Sequence, residues 1–156
     1  MKKKVYKLND LKKKLVILKN KNKTIGFTNG CFDLLHEGHL KLLAESKKKC
    51  DYLIVGINSD SSIKKIKGDN RPIDHEIIRV NNLKKQVQVD AVILFSSKTP
   101  LSLIKIIKPN VLFKGSDYRE KPIVGSGTVN KGGGKVILID LLKGYSTTKL
   151  INKKFL

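Results

Sequence analysis

The sequence predicts an α/β fold, a doubly wound parallel sheet of about five strands with helices on both faces. Three observations predict it. Strand-like and helix-like segments alternate along the 156 residues almost without exception, as right-handed βαβ crossovers require. The candidate strands Tyr52–Ile57 and Ala91–Phe95 are continuously apolar, which marks strands buried on both faces. The length suits one domain, since domains run to about 100–200 residues, and it is enough for a core without staples.

Taken in order, Val5 to Asn20 reads as an amphipathic helix: Leu8, Leu11, Leu15 and Leu18 recur at helical spacing, and Asn9 is its expected N-cap. Thr24–Thr28 is a short apolar strand ending in Asn29-Gly30. Glu37–Lys49 returns to a helical period, with Leu40, Leu43 and Ala44 facing one way. Beyond the strand Tyr52–Ile57, Ser59–Ile66 and Asp74–Val87 read as helices, the second capped by Asp74. The strand Ala91–Phe95 leads into a helix over Pro100–Ile107, closed by Pro109. Val111–Phe113 and Val136–Ile139 complete the strands, and Ser146–Lys154 makes a last helix. Gly132-Gly133-Gly134 precedes a strand; a phosphate cradle needs a helix N-terminus behind it, so these glycines read as a turn.

Composition narrows the function. With 40% hydrophobic and 29% charged residues the chain reads as folded. No apolar run approaches the ~18 residues of a membrane helix, and the charged N-terminus lacks the apolar stretch of a secretory signal. Cys31 and Cys50 have no zinc-ligand pattern and are too few for a disulfide scaffold, so reduced cytosolic thiols are expected. The formal charge of +20 raises the question of nucleic acid. Against it, the only arginines are Arg71, Arg79 and Arg119, and aromatics are 6% of the chain, which leaves little for base readout or stacking. The lysines are scattered among abundant Ile and Asn, which suggests codon bias, with a few available to an anionic substrate.

In doubly wound sheets ligands bind at the carboxyl ends of the strands, so chemistry is sought after Thr28, Ile57, Phe95, Phe113 and Ile139. The first of these loops reads Thr28-Asn29-Gly30-Cys31-Phe32-Asp33-Leu34-Leu35-His36-Glu37-Gly38-His39. Two histidines three apart at a helix start share a face and sit where free amides favour an anion. Gly38 between them lets a ligand or the backbone come close. A metal would need a third ligand at a telling spacing, and none is present. The loop reads as a site for phosphate groups.

The signature Gly-x-Phe-Asp-x-x-His-x-Gly-His resembles that of the nucleotidyltransferases of the cytidylyltransferase-like superfamily. The likeness covers nearly the whole chain. Phe27–His36, Val55-Gly-Ile-Asn-Ser-Asp60, Lys67-Gly-Asp-Asn-Arg-Pro-Ile73, Val111-Leu-Phe-Lys-Gly-Ser-Asp-Tyr118 and Gly144-Tyr-Ser-Thr-Thr148 are similar to the ADP-heptose synthase adenylyltransferases. No likeness to the sugar kinase that often precedes them is present, so the stand-alone form is expected.

The resemblance implies a Rossmann-like fold as one nucleotidyltransferase domain over 1–156, with an N-terminal helix over 1–22 and a nucleotide-binding core over 23–156. It implies transfer of AMP from ATP to D-glycero-β-D-manno-heptose 1-phosphate in a bacterial cytoplasm, and a homo-oligomer, with a dimer favoured. Magnesium would accompany ATP, held mainly by the nucleotide's phosphates rather than by protein ligands. His36 and His39 would donate hydrogen bonds to the triphosphate. Lys41 either adds charge there or is one more solvated lysine. Thr28, Asn29, Gly30, Phe32, Asp33 and Gly38 would serve the nucleotide, with Asp33 alternatively orienting the loop or capping the helix. Tyr145, Ser146, Thr147 and Thr148 would meet the nucleotide at the last helix. Asn58, Asp60, Lys67, Arg71, Lys114, Gly115 and Asp117 would serve the sugar phosphate. Arg79 matches a helix position of the family and either reaches the site or forms an ion pair. The stretch 121–135 departs from the family in its Gly and Lys content, and no contacts are carried over from it. Two other functions stay open: a cytidylyltransferase acting on glycerol 3-phosphate or a similar phosphate, and, from another class, a non-catalytic RNA-binding module.

Overall fold

A computed structural model describes residues 4–118 and 122–140. Its elements are α1 (Leu8–Asn20), β1 (Ile25–Gly30), α2 (Glu37–Lys47), β2 (Tyr52–Asn58), α3 (Asp60–Lys67) and α4 (Glu76–Lys84), then β3 (Ala91–Phe95), α5 (Leu101–Ile107), β4 (Val111–Gly115), α6 (Ser126–Lys131) and β5 (Lys135–Ile139). Among the described residues the strands form one parallel sheet in the order β3-β2-β1-β4-β5. The chain winds outward from β1 through β2 to β3, then returns to the other side of β1 for β4 and β5. The reversal falls between β1 and β4.

Strand alternation divides the core into two layers. Ile25, Phe27, Ile54, Ile93 and Leu112 face α1, α5 and α6, meeting Leu11, Leu15, Ile104, Ile107 and Val129. Leu53, Val55, Ile57, Val92 and Phe113 face the other way, onto Leu43 of α2 and Leu83 of α4. The expected doubly wound α/β sheet is present. Close packing shows at Gly26, where a Cβ would lie 2.6 Å from the Phe113 ring and 2.7 Å from Cys50 Sγ. No helix of the described residues is long and apolar enough to cross a membrane.

Several local expectations need correction. The first helix begins at Leu8 rather than Val5, and Lys7, not Asn9, stands at its N-cap without a side-chain bond. The residues before it extend along the edge strand instead, where Tyr6 N–H donates to Val92 O at 3.0 Å and Val92 N–H to Lys4 O at 2.7 Å. An exposed strand edge is thereby covered. The helix expected over Asp74–Val87 spans Glu76–Lys84, and His75 rather than Asp74 precedes it. The stretch 121–135 holds an unexpected helix, α6, which starts on Gly125 at φ 88°. A Cβ there would meet Ile104 Cδ1 at 2.6 Å, so both conformation and space call for glycine. The expected helix Ser146–Lys154 lies outside the described residues.

Candidate active site

At the reversal point the sheet opens. β1 pairs with β2 over six residues, Ile25↔Tyr52 to Gly30↔Ile57. It pairs with β4 at only Gly26↔Val111 and Phe27↔Leu112. Beyond that point side chains bridge the seam. Thr28 Oγ1 donates to Phe113 O at 3.1 Å, and Lys114 Nζ donates to Asn29 Oδ1 at 2.7 Å.

The loop that follows contains two non-glycine residues in the left-handed region, Phe32 at φ 50° and Leu34 at φ 53°. Such conformations persist only where surrounding contacts hold them, and they gather at functional sites. The contacts are on either side. Asp33 is fully buried and accepts from Arg71 Nε at 3.1 Å, Ile73 N–H at 2.8 Å and Asp74 N–H at 2.8 Å. Arg79, also fully buried, donates to Cys31 O (2.9 Å), Asn58 O (2.7 Å), Asp74 O (2.9 Å) and Asp60 Oδ1 (2.8 Å). One guanidinium thus joins the ends of β1 and β2 to the starts of α3 and α4.

The histidines sit where the loop enters α2. His36 is the N-cap: its Nδ1 accepts from Gly38 N–H at 3.1 Å, while its own N–H donates to His39 Nδ1 at 3.2 Å. Two imidazoles do the work of a capping box, which satisfies free amides of the helix start. The rings stack with centroids 3.7 Å apart, and Phe32 lies against the His39 ring at 5.1 Å. Because both Nδ1 atoms accept, both rings carry their proton on Nε2. Burial lowers the pKa of His36. Burial first, then the His36 and Lys67 charges, brings His39 down to about 3. The pair is neutral at physiological pH and presents N–H donors.

Two cavities meet at the open seam. One, of about 260 Å³, is lined by Thr28, Asn29, Gly30, Cys31, Phe32, His39, Leu42, Lys67, Lys114, Gly115 and Asp117. Its neighbour, of about 310 Å³, shares Asn29, Gly30, Cys31, Lys67 and Lys114 and adds Asn58, Ile66, Lys98, Thr99, Pro100, Pro122 and Val124. Lys114 is 8% exposed, and burial lowers its pKa to about 8 against the opposing pull of Asp117.

Of the sixteen singled-out residues that lie among the described ones, ten line these two cavities. His36 is not among the lining residues; its ring stacks on that of His39. Lys41 lines neither cavity, because residues two apart project from opposite sides of a helix. Asp33 neither caps α2 nor lines the cavities; it and Arg71 latch the segment 71–74 to the loop. The Gly38 amide is committed to His36, and Asp60 is held by Arg79 with His75 3.5 Å away. Tyr145, Ser146, Thr147 and Thr148 lie outside the described residues. Lys98 and Thr99 were not singled out, although the loop after Phe95 is one where chemistry was sought. Cys31, given no site role in the sequence, lines both cavities.

Comparison with known proteins agrees with this geometry. The profile of the family described as cytidylyltransferase-like matches residues 27–153. The bifunctional protein HldE of Nitrobacter winogradskyi is 49% identical over 144 residues, which is 92% of this chain and 30% of that protein. The chain thus spans about 30% of the length of the HldE proteins it matches. The crystal structure of a lipopolysaccharide core biosynthesis protein from Thermoplasma volcanium superposes with a TM-score of 0.62 at 28% identity, covering 80% of this chain and 99% of that one. At the level of fold alone, pantoate-beta-alanine ligase from Francisella tularensis superposes with a TM-score of 0.66 at 18% identity, over 98% of this chain and 73% of that one. With the imidazole pair at the mouth of a split parallel sheet and the family profile running through it, the chain belongs to the cytidylyltransferase-like family of nucleotidyltransferases.

Proposed function

We propose that the protein transfers AMP from ATP to D-glycero-β-D-manno-heptose 1-phosphate, giving an ADP-sugar and pyrophosphate. The observation that carries this reading is the neutral His36/His39 pair, held as donors at a helix N-terminus beside the seam. An oxygen of the acceptor phosphate attacks the α-phosphorus, and the bond to pyrophosphate breaks. The nucleophile is already an anion, so no base has to remove a proton. Catalysis then consists of positioning and of stabilising the charge that builds on the phosphates.

In this scheme His39 Nε2–H donates to the triphosphate, and His36 holds its tautomer and orientation. Thr28, Asn29, Gly30 and Phe32 form the nucleotide's bed, and Gly115 and Asp117 meet hydroxyls at the rim. Asn58, Lys67 and Lys114 face the acceptor. Asp33 and Arg71 act by holding the loop, and Lys41 plays no direct part. Among the described residues the His39 cavity carries one carboxylate, Asp117, which fits a magnesium ion brought in by ATP and held mainly by phosphate and water. Such an ion would neutralise charge on the triphosphate. A dimer in a bacterial cytoplasm, feeding a heptose-containing surface glycan, goes with this reading. It agrees with the structural relative named for lipopolysaccharide core biosynthesis.

The deciding experiment is pyrophosphate release with magnesium, ATP and the heptose 1-phosphate, run beside CTP with glycerol 3-phosphate. Release in the first mixture alone is expected. Release only in the second would move the protein to the cytidylyltransferase alternative.

A further inference from the structure

The two cavities lie on opposite faces of the sheet. By alternation along β1 and β4, Asn29 and Lys114 follow Ile25, Phe27 and Leu112 to the face that packs α1, α5 and α6. The cavity with Lys98 and Thr99 is on that side. The cavity with His39 is on the side that packs α2. In a sheet paired to its edge they would be separate hollows. They communicate because β1 and β4 stop pairing after Phe27 and Leu112. Lys114 stands in that opening, lines both cavities, and is tethered by Asn29 Oδ1 at 2.7 Å.

We propose that Lys114 is a catalytic residue for the adenylyl transfer: the triphosphate occupies the His39 cavity, the acceptor phosphate the Lys98–Thr99 cavity, and the α-phosphorus stands where they meet, beside the Lys114 ammonium. The inference rests on the adenylyl-transfer reading and deepens it. The acceptor oxygen forms its bond to the α-phosphorus as the bond to pyrophosphate breaks, and the electron pair leaves with pyrophosphate. Two anions must approach each other for this, and a fixed cation where they meet lowers their repulsion. The buried position matters, because a charge out of water acts through a lower effective dielectric. Lys67 also lines both cavities, but it is exposed and its charge is screened by solvent. The free protein's Lys114, with its pKa lowered to about 8 by burial, gives the site an alkaline limit.

Lys114→Met keeps the length of the side chain and removes the charge. For the wild type, kcat/KM, which reports groups of the free enzyme, is expected to fall as pH rises past about 8. Lys114→Met should lose about a hundredfold at neutral pH, with the remaining activity flat through that range. Lys98→Gln should raise the KM for the acceptor and leave that for ATP unchanged, which tests the assignment of the cavities. Lys114→Met activity within about threefold of wild type, or a variant that keeps the alkaline fall, would overturn the proposal. Should the variant fail to fold, the wild-type profile decides, and no fall above pH 8 overturns it. A wild type inert with every nucleotide and acceptor pair is a failure of the reaction reading instead. The lysine is then tested by magnesium-ATP affinity, expected to weaken above pH 8 in wild type and to be independent of pH in Lys114→Met; two equal, pH-independent affinities would overturn it.

Discussion

β1 treats its two neighbours differently. Towards β2 it is paired for its whole length, and Ile25, Phe27, Leu53, Ile54, Val55 and Ile57 along that seam are core. Towards β4 it is paired for two residues and then held by side chains, the Thr28 hydroxyl and the Asn29 amide with Lys114; the loop that continues β1 is anchored on the other side, by Asp33 and Arg79 to the end of β2 and the starts of α3 and α4. A ladder of backbone bonds closes a seam to ligands. Withdrawing the ladder opens a cleft, and the polar groups it frees must find other partners. The site is therefore the part of the sheet where tertiary hydrogen bonds replace secondary ones.

If that contrast is right, the largest effect on stability comes from the anchors and not from the ladder. Asp33→Ala would leave the Arg71 guanidinium and two amides without their buried acceptor, a change of about 3–5 kcal/mol by analogy with broken buried pairs. Urea denaturation measures it, and a loss under about 1 kcal/mol would mean that the loop is held by something other than its side-chain bonds.

His39→Ala addresses the chemistry of the open seam. Removing one donor to developing charge costs about 10²–10³ in kcat, while the fold loses one capping bond worth about 1 kcal/mol. Turnover near the wild-type rate would take His39 out of the mechanism.

Two smaller substitutions compare the closed and open stretches directly. Gly26→Ala, in the paired part, drives a Cβ to within 2.6 Å of the Phe113 ring; overpacking of this kind costs about 1–3 kcal/mol. Thr28→Val, in the open part, removes the hydroxyl that bridges to Phe113 O and costs about 1 kcal/mol. Melting curves of the two variants should rank them in that order, and the reverse order would mean that the side-chain bridges carry more than the packing.

The finest prediction is a graded one. An unfolded histidine takes up a proton near pH 6.5, whereas folded His39 does so only at about 3. Its neutral ring therefore favours folding above pH 6.5, and that contribution is lost progressively as pH falls towards 3. Urea midpoints of the wild type should decline more steeply over this window than those of His39→Ala. Parallel declines would show that His39 takes its proton equally well in both states.

Much of the site was legible because its signal is local. Gly30, Phe32, Asp33, His36, Gly38 and His39 lie within ten consecutive residues, and their spacing alone points to phosphate chemistry at the start of a helix. The roles inside that stretch were less legible. Capping preferences favour Ser, Thr, Asp and Asn, which pointed to Asn9 and Asp74, whereas the cap of α2 is an imidazole pair. Asp33 was expected at the nucleotide, at the helix cap or orienting the loop; its hydrogen bonds fit the last of these, and its partners, about 40 residues away, were not legible. The helix α6 was missed because a short stretch rich in glycine carries little intrinsic propensity; Val129, buried in the core, anchors it there.

By itself the sequence determined the parallel, doubly wound α/β architecture and gathered the candidate phosphate-binding residues in the loop after β1. These depend on hydrophobic periodicity and local spacing, which short stretches of chain carry. Only the tertiary structure decided that β1 and β4 part after two pairs, that Lys114 rather than Lys41 lines the cavity with His39, and which distant groups Asp33 and Arg79 use to hold the loop. Those outcomes depend on which side chains meet across 38 to 85 residues of chain. Such meetings are settled by packing and by the need to pair buried polar groups, and no local pattern records them.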